Sequence, residues 1–157
     1  MDALDARLLL LLSDEPRLGV LECSRRLGVA RGTVQARLDR MQRSGVLRGF
    51  PPELDLAEAG YGLTGFVMME IAQGKRDPVA ERLAAISQVC EVHATTGHED
   101  LFARVVARSN ADLQRVVDEI LAIPDVRRTS TSIALSTPVR PRVRPLLERM
   151  AVQDSGG

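Results

Sequence analysis

The sequence has no tryptophan, one tyrosine, three phenylalanines and two cysteines in 157 residues, and only one of its 21 basic side chains is a lysine. Cys23 and Cys90 stand far apart, with no Cys-x-x-Cys pair and no histidine spaced for shared ligation. A disulfide framework and a zinc-finger type of site are thereby excluded. The leucine run at residues 8–12 is five long, where a membrane span needs about 18 apolar residues. No basic stretch leads into an apolar segment with a cleavage site, so a cytoplasmic protein with reduced thiols and no membrane partner is expected. Hydrophobic residues make up 45% of the chain, which suits a soluble globular protein and excludes a disordered or collagen-like one. The length allows one mid-sized domain or two small ones with thin cores, so self-association is expected.

The formal net charge is zero, but the charge is unevenly placed. Residues 1–50 hold nine arginines against six acidic side chains, residues 51–137 eight basic against thirteen acidic, and residues 138–157 four against two. Between residues 20 and 50, seven arginines meet only Glu22 and Asp39. That density suits the neutralisation of phosphates, although a solvated helical face has the same composition.

Leu4, Leu8, Leu11 and Leu12 follow Asp2 at helical spacing and stop before Pro16, which predicts a helix over 3–13. Val20, Cys23 and Leu27 predict a second over 20–27, closed by Gly28, with Cys23 as a core hydrophobe. Val34, Leu38 and Met41 predict a third over 31–44, after which 46–50 reads as extended. Three helices with a tight glycine-containing turn form a helix-turn-helix unit at 1–50. Pro51, Pro52 and the acidic stretch that follows make 51–62 the linker.

From residue 63 the periodicity alternates. Strands are predicted over 63–72, 89–96, 100–108 and 126–135, with Cys90, Val92 and Ala94 on one side of the second. One helix is predicted with Asp77 as its cap and Pro78 at its first position, and another with Asn110 as its cap. The order β-α-β-β-α-β is that of a ferredoxin-like domain at 63–137, a four-stranded antiparallel sheet with both helices on one face. Phe66 and Met68 fall on the opposite face, which a partner sheet from a second subunit would cover. Residues 138–157 read as a basic, proline-rich tail, with at most one short turn at 146–151.

The outward face of the third helix carries Gly32, Ala36 and Arg43, with Thr33, Asp39 and Arg40 beside them and Gln35 at the flank. A helix entering a major groove about 12 Å wide needs small outward residues and a few hydrogen-bonding ones. Gln35 can pair with an adenine edge and Thr33 with a phosphate or a thymine methyl, while Arg31 and Arg40 suit backbone phosphates. Arg37 lies nearer the core stripe, where its stem packs and its guanidinium reaches the edge.

The stretches LDARLLLLLSDEPRLGVLECSRRLGVARGTVQARLDRMQRSGVLRGF, TTGHEDLFARVVARS and IPDVRRTSTSIAL resemble the Lrp/AsnC (feast/famine) family of transcription regulators, with TTGH closest to the AsnC branch. The resemblance runs from Leu4 to about Pro145. It implies an α+β protein, an N-terminal winged helix-turn-helix on operator DNA followed by a ferredoxin-like βαββαβ (RAM) domain that dimerises through its sheet and assembles dimers up to octamers. It also implies a free amino acid as effector, with no resident cofactor, held between dimers at Thr96, Gly97, His98, Glu99 and Asp100, with Thr129 and Thr131 lining the same pocket. Gly97 lets the backbone approach a ligand, neighbouring amides can bind a carboxylate, and Asp100 can accept from an ammonium group; an ordinary surface turn has the same residues.

Two positions depart from the family pattern. Ala30 stands where a capping Ser or Thr is common, and Glu99 where an aromatic is common, which favours a polar or cationic effector. The protein is not expected to be an enzyme. His93 and His98 keep open a sirohaem-decarboxylase-like activity on the same build, and an architectural DNA-binding protein without a ligand is the other alternative.

Overall fold

Asp2 and Asp5 start the first helix. Each side chain accepts from the other's backbone N–H at 3.0 Å, a reciprocal cap with aspartate where glutamate is usual. A computed structural model describes residues 1–153, in which α1 spans Ala3–Asp14, α2 Val20–Leu27 and α3 Arg31–Arg43. Helix α2 ends on Gly28 at φ 67°, a left-handed position that costs glycine nothing sterically. Leu8, Leu12, Cys23, Val34 and Met41 are buried at the centre of these helices, with Leu27, Leu38 and Leu47 packed around them. At about 1.5–3 kcal/mol per buried side chain this is a thin core, so few of its members are dispensable. Burial raises the Cys23 thiol above its ordinary value, as for a packed hydrophobe.

The described residues divide into two compact units, residues 1–52 with 139–153, and residues 53–138. The tail therefore differs from its sequence reading. Residues 138–143 are irregular, but Arg144–Gln153 form a further helix that packs on α1 and buries Leu147. Pro145 does not prevent it, because a proline in the first turn removes an N–H that has no helical partner. The segment 46–50, expected to be extended, pairs with no strand among the described residues; Leu47 instead donates its N–H to the Met41 carbonyl at 3.0 Å.

In the second unit, β1 (Leu63–Ile71), α4 (Arg76–Ala84), β2 (Val89–Ala94), β3 (Leu101–Ala107), α5 (Asn110–Leu121) and β4 (Val126–Ile133) follow in order, so the C-terminal helix of the other unit is α6. The sheet order is β2-β3-β1-β4, antiparallel throughout. Val67, Met69, Val105, Leu83, Val116 and Ile120 form its buried centre. Both helices start one or two residues from where the sequence suggested. Lys75 is the N-cap of α4, with Asp77 inside the first turn. Ser109, not Asn110, caps α5 by accepting from the Asp112 N–H at 3.1 Å. In β2 a register shift between Val89 and Glu91 breaks the alternation. Val89 and Val92 pack on the core and Cys90 is exposed, not inward as the simple period of two required.

The other face of the sheet carries Phe66, Met68 and Phe102. The Phe66 and Phe102 rings stack at 5.4 Å, and His93 stands 6.2 Å from Phe102. Arg104 pairs with Glu91 at 3.1 Å on this face, and its Nε is buried without a partner.

Candidate nucleic-acid interface and ligand pocket

Helix α3 is held by its inner stripe, with Val34 and Met41 buried and Leu38 against them. That leaves Arg31, Gly32, Thr33, Gln35, Ala36, Arg40 and Arg43 exposed on the helix. Ala30 caps it without a side-chain bond, and Thr33 and Val34 donate to the Ala30 carbonyl at 3.0 and 3.3 Å. The N–H groups of Arg31 and Gly32 have no such partner among the described residues, so the helix start presents two donors and the positive end of its dipole.

The cations of this helix are of two kinds. Arg31 and Arg43 make no side-chain hydrogen bond or ion pair among the described residues and are free to meet phosphates. Arg37 Nη1 instead donates to both Asp2 oxygens, at 2.7 and 2.6 Å, and to Asp5 Oδ1 at 2.8 Å. Arg40 Nη2 donates to Asp5 Oδ2 at 2.6 Å. The Asp5 side chain is 0% exposed, that of Arg37 22% and that of Arg40 54%. The bond from Arg37 holds the Asp2 carboxyl down at about 2. On α2, Arg26 is likewise committed to Glu15 and Glu22. Much of the local positive charge seen in the sequence is thus already neutralised within the unit. Asp39, placed beside the outward face by the sequence but given no role there, accepts from Gln35 Nε2 at 2.7 Å. The i, i+4 spacing of Gln35 and Asp39 was a local signal for that bond.

In the sheet unit, Met68, Glu70, His98, Glu99, Arg128, Thr129 and Ser130 line a concavity of about 360 Å³. Within it His98 Nδ1 lies 3.1 Å from Glu70 Oε1. Of the turn residues, His98 and Glu99 reach this concavity, while Thr96 and Gly97 are exposed and outside it. Asp100 lies at a second concavity of about 410 Å³, beside Ile71, Gly74, Arg76 and Asp77. Its Oδ2 accepts from the Ile71 N–H at 2.9 Å, and its own N–H donates to the Met69 carbonyl. Thr129 borders the concavity although it pairs with Met69 of the helix-covered face, Thr131 pairs with Val67 and lies outside it, and Ser130 and Arg128 pair with Met68 and Glu70 on the open face. Met68, Glu70, Arg128 and Ser130 were not among the candidates. Alternation in β1 marked the first two, but only the pairing of β1 with β4 brings Arg128 and Ser130 beside them.

His93 and His98 engage different carboxylates, Glu91 and Glu70. Among the described residues no group of three or more histidine, cysteine or acidic side chains could hold a metal ion. Among the described residues no helix is long and apolar enough to cross a membrane.

A helix-turn-helix unit with a polar, partly cationic third helix, joined to a ferredoxin-like sheet, defines a DNA-binding transcription regulator. The chain belongs to the Lrp/AsnC family. Residues 1–42 match the AsnC-type helix-turn-helix domain and residues 64–143 the Lrp/AsnC ligand binding domain. An uncharacterised HTH-type transcriptional regulator of Pyrococcus abyssi is 35% identical over 137 residues, 87% of each chain. The structure of Escherichia coli AsnC superposes with a TM-score of 0.85 at 26% identity, covering 92% of this chain and 99% of that one. A Neisseria meningitidis transcriptional regulator solved as an L-Met complex shares the fold, with a TM-score of 0.79 at 22% identity over 89% and 93% of the two chains.

Proposed function

We propose that this chain is a sequence-specific regulator that acts on operator DNA as a homodimer or a larger assembly of dimers, in the cytoplasm, with its DNA binding tuned by a small zwitterionic effector. The observation that carries the DNA reading is the exposed face of α3, where Gly32 and Ala36 permit close approach and Arg31, Thr33, Gln35 and Arg43 offer donors around them. Two such helices related by a two-fold axis reach successive major grooves one turn apart, so operators are imperfect palindromes.

The effector reading is supported by the charge of the open-face concavity. Glu70 and Glu99 suit an α-ammonium group and Arg128 an α-carboxylate, which together match a free amino acid. Asp100 contributes by holding the end of β1 through Ile71. The L-Met of the Neisseria structure is that protein's ligand; the shared fold makes amino acids the class to test first. The apolar open face around Phe66 and Phe102 supports association through the sheet.

The test is a titration of the full chain into duplex DNA from upstream of its own gene, at fixed salt with unrelated DNA as competitor, with and without each of the twenty amino acids. Specific binding shifted by one amino acid supports both parts. Specific binding indifferent to all twenty removes the effector, and the absence of any sequence preference favours an architectural role.

A further inference from the structure

The buried carboxylate of Asp5 does more than its place in a helix cap requires. The reciprocal cap with Asp2 needs only two backbone N–H groups, and an exposed side chain can serve it. Asp5 is instead withdrawn from solvent and meets two guanidinium groups that arrive from 32 and 35 residues later in the chain. A carboxylate without water is retained only where charged donors replace its hydration.

The two arginines are held differently. Arg37 is largely enclosed and is also bound by both oxygens of Asp2, so it joins α3 to α1. Arg40 spends one nitrogen, Nη2, on Asp5 and keeps more than half of its side chain in solvent. Its Nε and Nη1 have no partner among the described residues, and they lie on the same helix as the free Arg31 and Arg43. A guanidinium is a planar fork, so anchoring one arm fixes the direction of the rest.

We propose that Asp5 is a positioning residue for DNA recognition, orienting Arg40 so that its unpaired edge meets a backbone phosphate. The proposal rests on the reading of α3 as the DNA-facing helix. A freely rotating arginine loses its rotamer freedom when it meets phosphate, whereas Arg40 has already given it up on folding. Asp5 contacts no DNA and acts only through the arginine.

The experiment uses the full chain and the duplex that the wild-type protein enriches most from a random-sequence library. Its affinity is measured across a series of KCl concentrations for wild type, Asp5→Asn, Arg40→Gln and the double variant, with thermal melting of each. Asparagine keeps a carbonyl for Arg37 and turns its NH2 toward Arg40, while Asp2 still holds Arg37. Each single variant is expected to bind about tenfold more weakly. The double variant should be no weaker than Arg40→Gln alone, because the two residues form one unit. Arg40→Gln should also lower the slope of log affinity against log salt by about one per protomer, and Asp5→Asn should leave that slope in place.

A merely structural Asp5 would lower melting and affinity without this coupling, and losses that multiply to about a hundredfold in the double variant would overturn the proposal. So would an Arg40→Gln variant with wild-type affinity and slope, a result that does not depend on Asp5→Asn folding. Wild-type protein that enriches no duplex would overturn the DNA reading itself, a separate outcome.

Discussion

Gln35 donates its side-chain amide to Asp39 at 2.7 Å, one turn along α3. The bond lays the amide along the helix and puts a carboxylate on the face proposed to meet phosphates. Gln35→Ala should relax preference at one base position, with a loss of about 1–3 kcal/mol in discrimination there. Asp39→Asn should strengthen binding to every duplex alike, because it removes a like charge near the backbone. Selection from a random duplex library checks both; a Gln35→Ala profile identical to wild type would remove the base-reading role.

The Asp2–Arg37 pair predicts an acid dependence of stability. The Asp2 carboxyl is lowered to about 2 from its ordinary 3.8, first by the side-chain bond from Arg37 and then by the Asp5 backbone N–H. A lowered carboxylate stabilises the fold above its unfolded value and loses that contribution as pH falls from about 4 to 2. Asp2 is partly exposed, so the contribution is discounted to about 1 kcal/mol. Urea unfolding of wild type and Asp2→Asn should differ by that amount at pH 6 and converge only below about pH 2. A constant difference across the range would show that the pairing contributes nothing.

The α6 helix predicts two unequal substitutions. Leu147 is buried in its packing on α1, and Leu147→Ala should cost about 2 kcal/mol in unfolding of the N-terminal unit. Arg144 pairs with Asp14 and Glu148 at the surface, where solvent screens the pairs, and Arg144→Ala should cost clearly less than Leu147→Ala. Denaturant melts of the two variants decide this, and equal losses would contradict the packing account.

Gly65 predicts a steric limit within the sheet. It faces the helices from β1, and a Cβ there would stand 3.0 Å from Leu113 Cδ1 and 3.1 Å from Val105 Cγ2. Both neighbours are buried, so neither can give way freely. Gly65→Ala should destabilise the second unit by about 1–2 kcal/mol through overpacking, read as a lower melting temperature. A variant as stable as wild type would show that Leu113 adjusts without strain.

Much of the fold was legible in the sequence because its signals are local. The spacing of Leu8, Cys23, Val34 and Met41 and the glycine after α2 marked the helix-turn-helix, and alternation marked β1 and its two faces. The misplaced details have specific physical causes. Ser109 and Asn110 are both good caps, and only the backbone decides which side chain meets the Asp112 N–H. The register shift between Val89 and Glu91 puts an extra residue into β2, so Cys90 falls out of phase with Val92 and faces solvent. In α6, Pro145 read as a breaker because nothing in its neighbourhood shows that α1 offers an apolar surface to pack on.

The two sites show the same division. The sequence by itself determined that α3 is a polar helix with small outward residues, and that residues 96–100 form a polar, glycine-containing turn, since both are read within a few consecutive residues. Only the tertiary structure decided which arginines are free, because Asp2 and Asp5 reach Arg37 and Arg40 across more than thirty residues. It also decided that Glu70, Glu99 and Arg128 share one concavity while Asp100 faces another. Charge pairing and strand order depend on which distant segments meet, and no local period encodes that.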